Sequence, residues 1–181
     1  MRKFLARRAL RAFSAHYGYD VGYMEQMLEI SPSAFYRFAV LTKLAQQRQV
    51  APLEAFYAAK LVGALAEDCG PCVQLVVDMA REAGLATAEI EAVLTRDEEV
   101  MSPETRLGFH FADKLLRRSL EADAAREAVR AQWGTAGVID LTLALQIGRV
   151  FPMVKTGLGF GKTCQRVQLG GQVVEVAREA A

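Results

Sequence analysis

Two cysteines stand three residues apart in the stretch EDCGPCVQLVV, Glu67 to Val77, with Gly70 and Pro71 between them. A dithiol at this spacing can close into a disulfide and open again, supply half of a zinc site, or sit inert as two small apolar side chains. Redox chemistry has the most local support. Thiolate is the reactive form, and a helix N-terminus favours it through about half a positive charge and unpartnered N–H groups. Pro71 suits the first turn of a helix that Gly84 would stop. Cys69 then lies nearest that terminus and Cys72 one turn inside. The zinc alternative needs two further ligands. Cys164, His110 and His16 are the candidates, with no second CxxC and no HxxxH to organise them.

A dithiol that turns over also needs groups to move protons or hold the thiolate. Glu67 directly precedes the pair with Asp68; as carboxylates they could shuttle a proton, but would also raise a neighbouring thiol's pKa by repulsion. Lys60, nine residues before Cys69, could face the sulfurs and favour thiolate, or snorkel to water. Tyr57 could donate a hydrogen bond or fill core. His110, beside Leu107 and Phe111, could be brought to the dithiol by another helix or sit satisfied at the core boundary. His16 falls in a turn and reads as surface; Trp133 reads as closing a helix end.

The elements that must position these residues are helices nearly throughout. A first helix runs to about Ser14, and HYGYD is a turn. Helical spacing recurs in VGYMEQMLEI, in a single run SPSAFYRFAVLTKLAQQ opened by Ser31 and Pro32, and in APLEAFYAAKLVGALAE. After the dithiol helix come TAEIEAVL, then SPETRLGFHFADKLLRRSLE opened by Ser102, then DAAREAVRAQWG ending at Gly134, then a last long helix TAGVIDLTLALQIGRVFPMV. Only the tail differs: the apolar alternation around Gly170 and Gly171 fits a short β-hairpin. The expectation is one all-α domain over residues 1–181, with a basic amphipathic helix at 1–18 and a glycine-containing tail at 156–181.

Cys-Gly-Pro-Cys is also the tetrapeptide of thioredoxin, but that fold needs a β-strand just before it. Here an alanine-rich helical run leads straight into the motif. The run AAKLVGALAEDCGPCVQLVVDMAREAG, residues 58–84, instead resembles the alkylhydroperoxidase D-like, carboxymuconolactone decarboxylase-like family. The later AVRAQWGTAGVIDLTLALQIGRVF continues the likeness. The resemblance implies an all-α helical bundle, usually a homo-oligomer. Its redox members reduce peroxides or pass electrons between dithiol partners; its decarboxylase members act on a lactone. The family motif Glu-x11-Cys-x2-Cys-x3-His places its cysteines on Cys69 and Cys72. Its glutamate falls on Tyr57 and its histidine on Val76, so both relay positions depart from the pattern. In the family the second cysteine attacks peroxide with help from that relay. The departure weighs against peroxidase activity by that route and less against dithiol–disulfide exchange.

Composition sets the remaining bounds. The chain has 181 residues, 52% hydrophobic, with a formal net charge of +1, which gives no global electrostatic case for nucleic acid. Arg2, Lys3, Arg7, Arg8 and Arg11 precede the first acid at Asp20. This stretch could be a targeting or membrane-surface segment; the expectation is a helix packed on the body by Leu5, Ala9, Leu10 and Phe13. VIDLTLALQIGRVFPMV reads as too short and too charged, with Asp140 and Arg149, to span a membrane. An odd count of three cysteines with no secretory leader points to a reducing, cytoplasmic setting. TGLGFGKT, 156–163, lacks the first glycine of a phosphate loop and follows a helix, so it reads as a flexible loop. The expected function is a thiol–disulfide oxidoreductase or alkylhydroperoxidase-like antioxidant protein, with a peroxide or protein disulfide as substrate and a thiol as electron donor. It would need no cofactor or metal and bind neither nucleic acid nor membrane. The alternatives are a decarboxylase-like enzyme on a small acid, or an oligomeric scaffold or redox sensor without catalysis.

Overall fold

The computed structural model of the chain describes residues 1–161 and 166–176. The helices are α1 (Arg2–Tyr17), α2 (Gly22–Ile30), α3 (Pro32–Ala39), α4 (Leu41–Leu44), α5 (Leu53–Ala66), α6 (Gly70–Glu82), α7 (Thr87–Thr95), α8 (Pro103–Leu116) and α9 (Ala122–Gly157). Two strands, β1 (Arg166–Leu169) and β2 (Gln172–Glu175), follow. The fold is all-α with a short C-terminal β-hairpin.

α5 is the centre of the bundle. Ala55, Phe56, Ala58, Ala59, Leu61, Val62, Gly63 and Ala64 are all buried, so the helix is apolar around most of its circumference, as a core helix must be. Its most extensive contacts are with α9 and α8. These contacts are backbone-close. A Cβ on Gly148 of α9 would lie 2.2 Å from the Lys60 carbonyl oxygen, and one on Gly63 of α5 would lie 2.3 Å from that of Leu145. On the other side, a Cβ on Gly108 of α8 would lie 2.4 Å from the Ala55 carbonyl oxygen. Glycine on one helix against the bare backbone of the other is what lets the axes approach this far.

The local chemistry of the helix ends explains most boundaries. Ser102 caps α8, its Oγ accepting the Thr105 N–H at 3.2 Å, with Pro103 in the first turn. Gly84 takes φ +93° after α6, and Gly18 takes φ +60° after α1. Gly170 and Gly171 both have positive φ, the requirement of a tight hairpin turn, and pair Leu169 with Gln172 across it. The hairpin docks on α6 through Gln74, whose side chain donates to the Gln168 carbonyl at 3.0 Å and accepts its N–H at 2.7 Å.

Two expectations need adjustment. The run 31–47 is two helices, with α3 ending at Ala39; the Thr42 hydroxyl takes the Ala39 carbonyl at 2.7 Å and competes with the helical ladder. Gly134 is non-helical (φ 68°, ψ −173°), as a stop there requires, so α9 is two helices that meet at a kink where the sequence places the stop. The second of these helices runs on to Gly157 and is longer than the run read as too short for a bilayer. By length and composition alone α9 could cross one, as the core helices of soluble proteins also could. Here it packs on α5 and α8, and both of its charges within the apolar run are engaged. Asp140 is buried and accepts the N–H groups of Gln49, Val50 and Ala51 at 2.8, 2.8 and 3.1 Å, pinning the loop before α5. Arg149 pairs with Glu67.

α1 also packs differently from its apolar pattern. Leu10 is its one buried residue, with Phe13 half-buried, whereas Leu5 and Ala9 are exposed. The helix is held by one narrow stripe rather than by the broader face its sequence offers.

The close approaches make a direct prediction. Gly108→Ala and Gly148→Ala each push a Cβ into a neighbouring backbone and should destabilise the fold by about 3 kcal/mol or more. A urea midpoint equal to that of the parent protein for either variant would show that the helices can separate without cost.

Candidate functional site

The loop between α5 and α6 is two residues of reversal followed by the first cysteine. Glu67 closes α5, Asp68 turns the chain with φ +49°, a conformation that aspartate tolerates better than most, and Cys69 stands at the N-cap of α6 with extended backbone. Gly70 and Pro71 open the helix and carry Cys72 round to the same side. The two sulfurs are bonded as a disulfide, with Cα atoms 5.2 Å apart. Both residues are buried, at 1% and 3% exposure. That number decides how the site can be used: no partner reaches the disulfide without displacing something.

What covers it is the N-terminal third of the chain. Cys69 and Cys72 belong to an apolar cluster with Leu10, Tyr19, Val21, Tyr23, Leu28 and Phe35, separate from the main cluster around α5. α1 reaches across to α6, where Tyr17 donates to Glu82 and His16 Nε2 lies 3.2 Å from the same carboxylate. These two contacts hold Glu82 below the usual carboxylate range, the Tyr17 hydrogen bond first and the His16 bond second.

The helix start supplies fewer donors than its position promises. Pro71 has no N–H, and the N–H groups of Cys72 and Val73 both go to the Cys69 carbonyl, at 2.9 and 3.0 Å. The dipole of α6 remains, but most of the hydrogen bonds expected from its first turn are already used.

Among the described residues, the polar side chain that meets a sulfur is Tyr19, whose hydroxyl lies 3.6 Å from Cys72 Sγ. Burial pushes its phenol up to about 12. Behind the ring sits Lys155 of α9, 1% exposed, with Nζ 4.1 Å from the Tyr19 ring centroid and 5.8 Å from that of Tyr23. Lys155 Nζ also donates to the Asp20 carbonyl at 3.2 Å. Sequence reading did not select either residue. Tyr19 lies in a turn and Lys155 near a helix end, 53 and 83 positions from Cys72 (72 − 19 and 155 − 72), with no local pattern joining them.

The residues that the sequence did select are dispersed. Glu67 accepts from Arg149 Nε at 2.6 Å, so its carboxylate ties the end of α5 to α9. Lys60 points away from the dithiol loop and donates to the Ala45 carbonyl at 2.7 Å, with the Phe56 and Tyr57 rings 5.2 and 5.5 Å from Nζ. Tyr57 is half-buried against Phe56, its phenol raised by burial first and by the Glu82 carboxylate second. Val76 is buried in the main cluster. His110 pairs with Glu98 at 3.2 Å and lines a cleft of about 360 Å³ with Leu107 and Trp133, between α8 and the first part of α9. None of the residues lining that cleft belongs to the cluster around the disulfide. Among the described residues no three His, Cys, Asp or Glu side chains are grouped to hold a metal ion. Cys164, Lys162 and Thr163 lie outside the described residues.

Fold and site together define an all-α protein with a buried CxxC disulfide at a helix start, covered by apolar residues of the N-terminal helices. No family model, curated protein or solved structure matches the chain.

Lys60 offers a test that is independent of the dithiol. Burial lowers its pKa from the ordinary 10.5 to about 8. The folded protein thus binds this proton less tightly than the unfolded chain, and folding is penalised by about 3 kcal/mol below pH 8. The penalty fades as pH rises from about 8 towards 10.5. The urea midpoint should climb over that window relative to Lys60→Met, which has no proton to lose. Parallel curves for the two proteins would refute the assignment.

Proposed function

We propose that this protein is a thiol–disulfide oxidoreductase in which Cys69 and Cys72 alternate between dithiol and disulfide. The observation that carries the proposal is the disulfide itself, closed across the first turn of α6. In the reducing half-cycle a donor thiolate attacks one sulfur, the Cys69–Cys72 bond breaks and its electron pair leaves on the other sulfur as thiolate. A second donor thiol then resolves the mixed disulfide, leaving the donor oxidised. In the reverse half-cycle the dithiol reduces a protein disulfide by the same two exchanges.

The resemblance of residues 58–84 to alkylhydroperoxidase D-like proteins supports the same reading, and with it a homo-oligomer in the cytoplasm. Peroxide is the weaker substrate choice. Tyr57 and Val76 stand at the family's relay positions, and neither is a base at neutral pH. Disulfide exchange needs only a thiolate and access.

Access is the distinctive constraint. Since both sulfurs are covered, the rate of exchange should depend on how readily the N-terminal cap lifts. Alkylation of the reduced protein across pH, before and after treatment with a disulfide oxidant, tests the proposal. A thiolate present below pH 7.5 that is lost to a Cys69–Cys72 disulfide supports it. Thiols inert at pH 8 in the folded protein would leave a structural crosslink. Leu10→Ala, which removes the only buried anchor of α1 at a cost of about 2 kcal/mol to that helix, should speed reduction of the disulfide by a small dithiol more than tenfold. An unchanged rate would mean that the partner enters by another face.

A further inference from the structure

We infer that Tyr19, backed by Lys155, is the group that holds Cys72 as the thiolate when the disulfide opens, so that Cys69 is the sulfur an incoming donor attacks. This rests on the redox reading above and goes beyond it by assigning the sulfurs different roles.

The two sulfurs are equally inaccessible, so exposure does not choose between them. The difference is in their polar neighbours. Cys72 Sγ has the Tyr19 hydroxyl at 3.6 Å, within hydrogen-bonding reach of sulfur. Of the backbone positions at the start of α6, Pro71 has no N–H, and the N–H groups of Cys72 and Val73 are bonded to the Cys69 carbonyl. A thiolate formed at Cys72 would be desolvated and costly without a donor. Tyr19 supplies one that needs no reorganisation, because its ring is fixed among Phe13, Lys155 and the α2 residues of the same cluster.

Lys155 strengthens that donor. A cation over the ring face withdraws electron density from the phenol and makes its O–H a better hydrogen-bond donor. It also puts positive charge into the cluster that would receive the thiolate. Burial keeps the phenol protonated through the range in which a thiol titrates, so it donates a hydrogen bond and does not surrender its proton. The other charged and titratable groups near the pair do not compensate. Among the described residues, Glu67 is committed to Arg149, Glu82 to Tyr17 and His16, and Tyr23 on α2 is buried and faces Tyr19. Asp20, whose carboxylate accepts the Gly22 N–H, and Asp68, which precedes Cys69, are negative and work against a thiolate.

The step is then defined. A donor thiolate, from a dithiol reductant, bonds to Cys69 Sγ. The Cys69–Cys72 bond breaks, and the electron pair goes to Cys72 Sγ, which accepts the Tyr19 O–H. No proton moves until the second exchange, when Cys72 is protonated from solvent or remains thiolate for the next disulfide. Tyr19 touches the reacting sulfur; Lys155 acts through Tyr19 and is a positioning residue.

Single-cysteine proteins test this without a disulfide present. In Cys69→Ser, the thiolate of Cys72 is followed by its ultraviolet absorbance against pH, with and without Tyr19→Phe; the same pair is made in Cys72→Ser to follow Cys69. Tyr19→Phe should cut the thiolate fraction of Cys72 roughly tenfold at a given pH, and leave that of Cys69 unchanged. Lys155→Met should shift Cys72 in the same direction by less. Thermal midpoints of the Tyr19→Phe proteins, expected to match their parents, separate this from loss of packing. An equal shift at both cysteines, or none at Cys72, overturns the inference. Failure of the redox reading itself shows elsewhere, as a wild-type disulfide that no small dithiol can open.

Discussion

Backbone contact between α5 and its two large neighbours is the constraint from which the rest of the structure follows. Gly148 and Gly63 let α9 and α5 meet main chain to main chain, and Gly108 does the same for α8. With side chains removed from those crossings, the three helices pack against one another with almost no room for adjustment. α5 then has one exit, and the chain must reverse within Glu67 and Asp68 to begin α6. The dithiol is placed by that reversal. Its position is a consequence of the packing of a helix that carries none of the chemistry.

The polar side chains inside the apolar mass reinforce the same geometry. Asp140 ties the loop before α5 to α9, and the Glu67–Arg149 pair ties the end of α5 to the same helix. Asp113, buried on α8, is pushed up by desolvation, yet the Arg96 and Arg117 guanidiniums outweigh this and hold it below the usual carboxylate range. Asp140 and Asp113 are each met by more than one donor, which is what makes their burial tolerable. Both ends of α5 are therefore fixed, and movement that gives access to the disulfide must come from the other side.

That other side is built differently. The N-terminal cap covers the disulfide with a second apolar cluster, but α1 contributes a single buried residue to it and leaves Phe4 and Leu5 exposed. Its crosslinks to α6, through Tyr17, His16 and Glu82, are at the surface, where such contacts contribute little. A rigid platform beneath the sulfurs and a lightly held cover above them suit exchange chemistry, which needs a defined thiolate and intermittent access. The same cover supplies Tyr19, so the segment that buries the disulfide also carries the hydroxyl that meets Cys72 Sγ.

Much of the fold was legible in the residues themselves. Period-3.6 apolar spacing, Ser-Pro starts, Gly84 after α6 and the Gly-Gly turn of the hairpin are local signals, because helix caps and tight turns are set by interactions within a few residues. The dithiol is equally local, since the spacing of Cys69 and Cys72 and the Pro71 start almost suffice to place both sulfurs on one helical turn. The surroundings of the dithiol are not local. Lys60 and Glu67 are close to it in sequence, but helix rotation and partners on α9 and in the Ala45 loop draw their charged ends elsewhere. Tyr19 and Lys155 are remote in sequence, and the tertiary fold alone brings Tyr19 to Cys72 and Lys155 to Tyr19. Sequence alone determined the helices and the existence of a closable pair of thiols; tertiary structure decided its burial and its neighbours, because a side chain's partners depend on how helices cross and no pattern along one helix encodes that crossing.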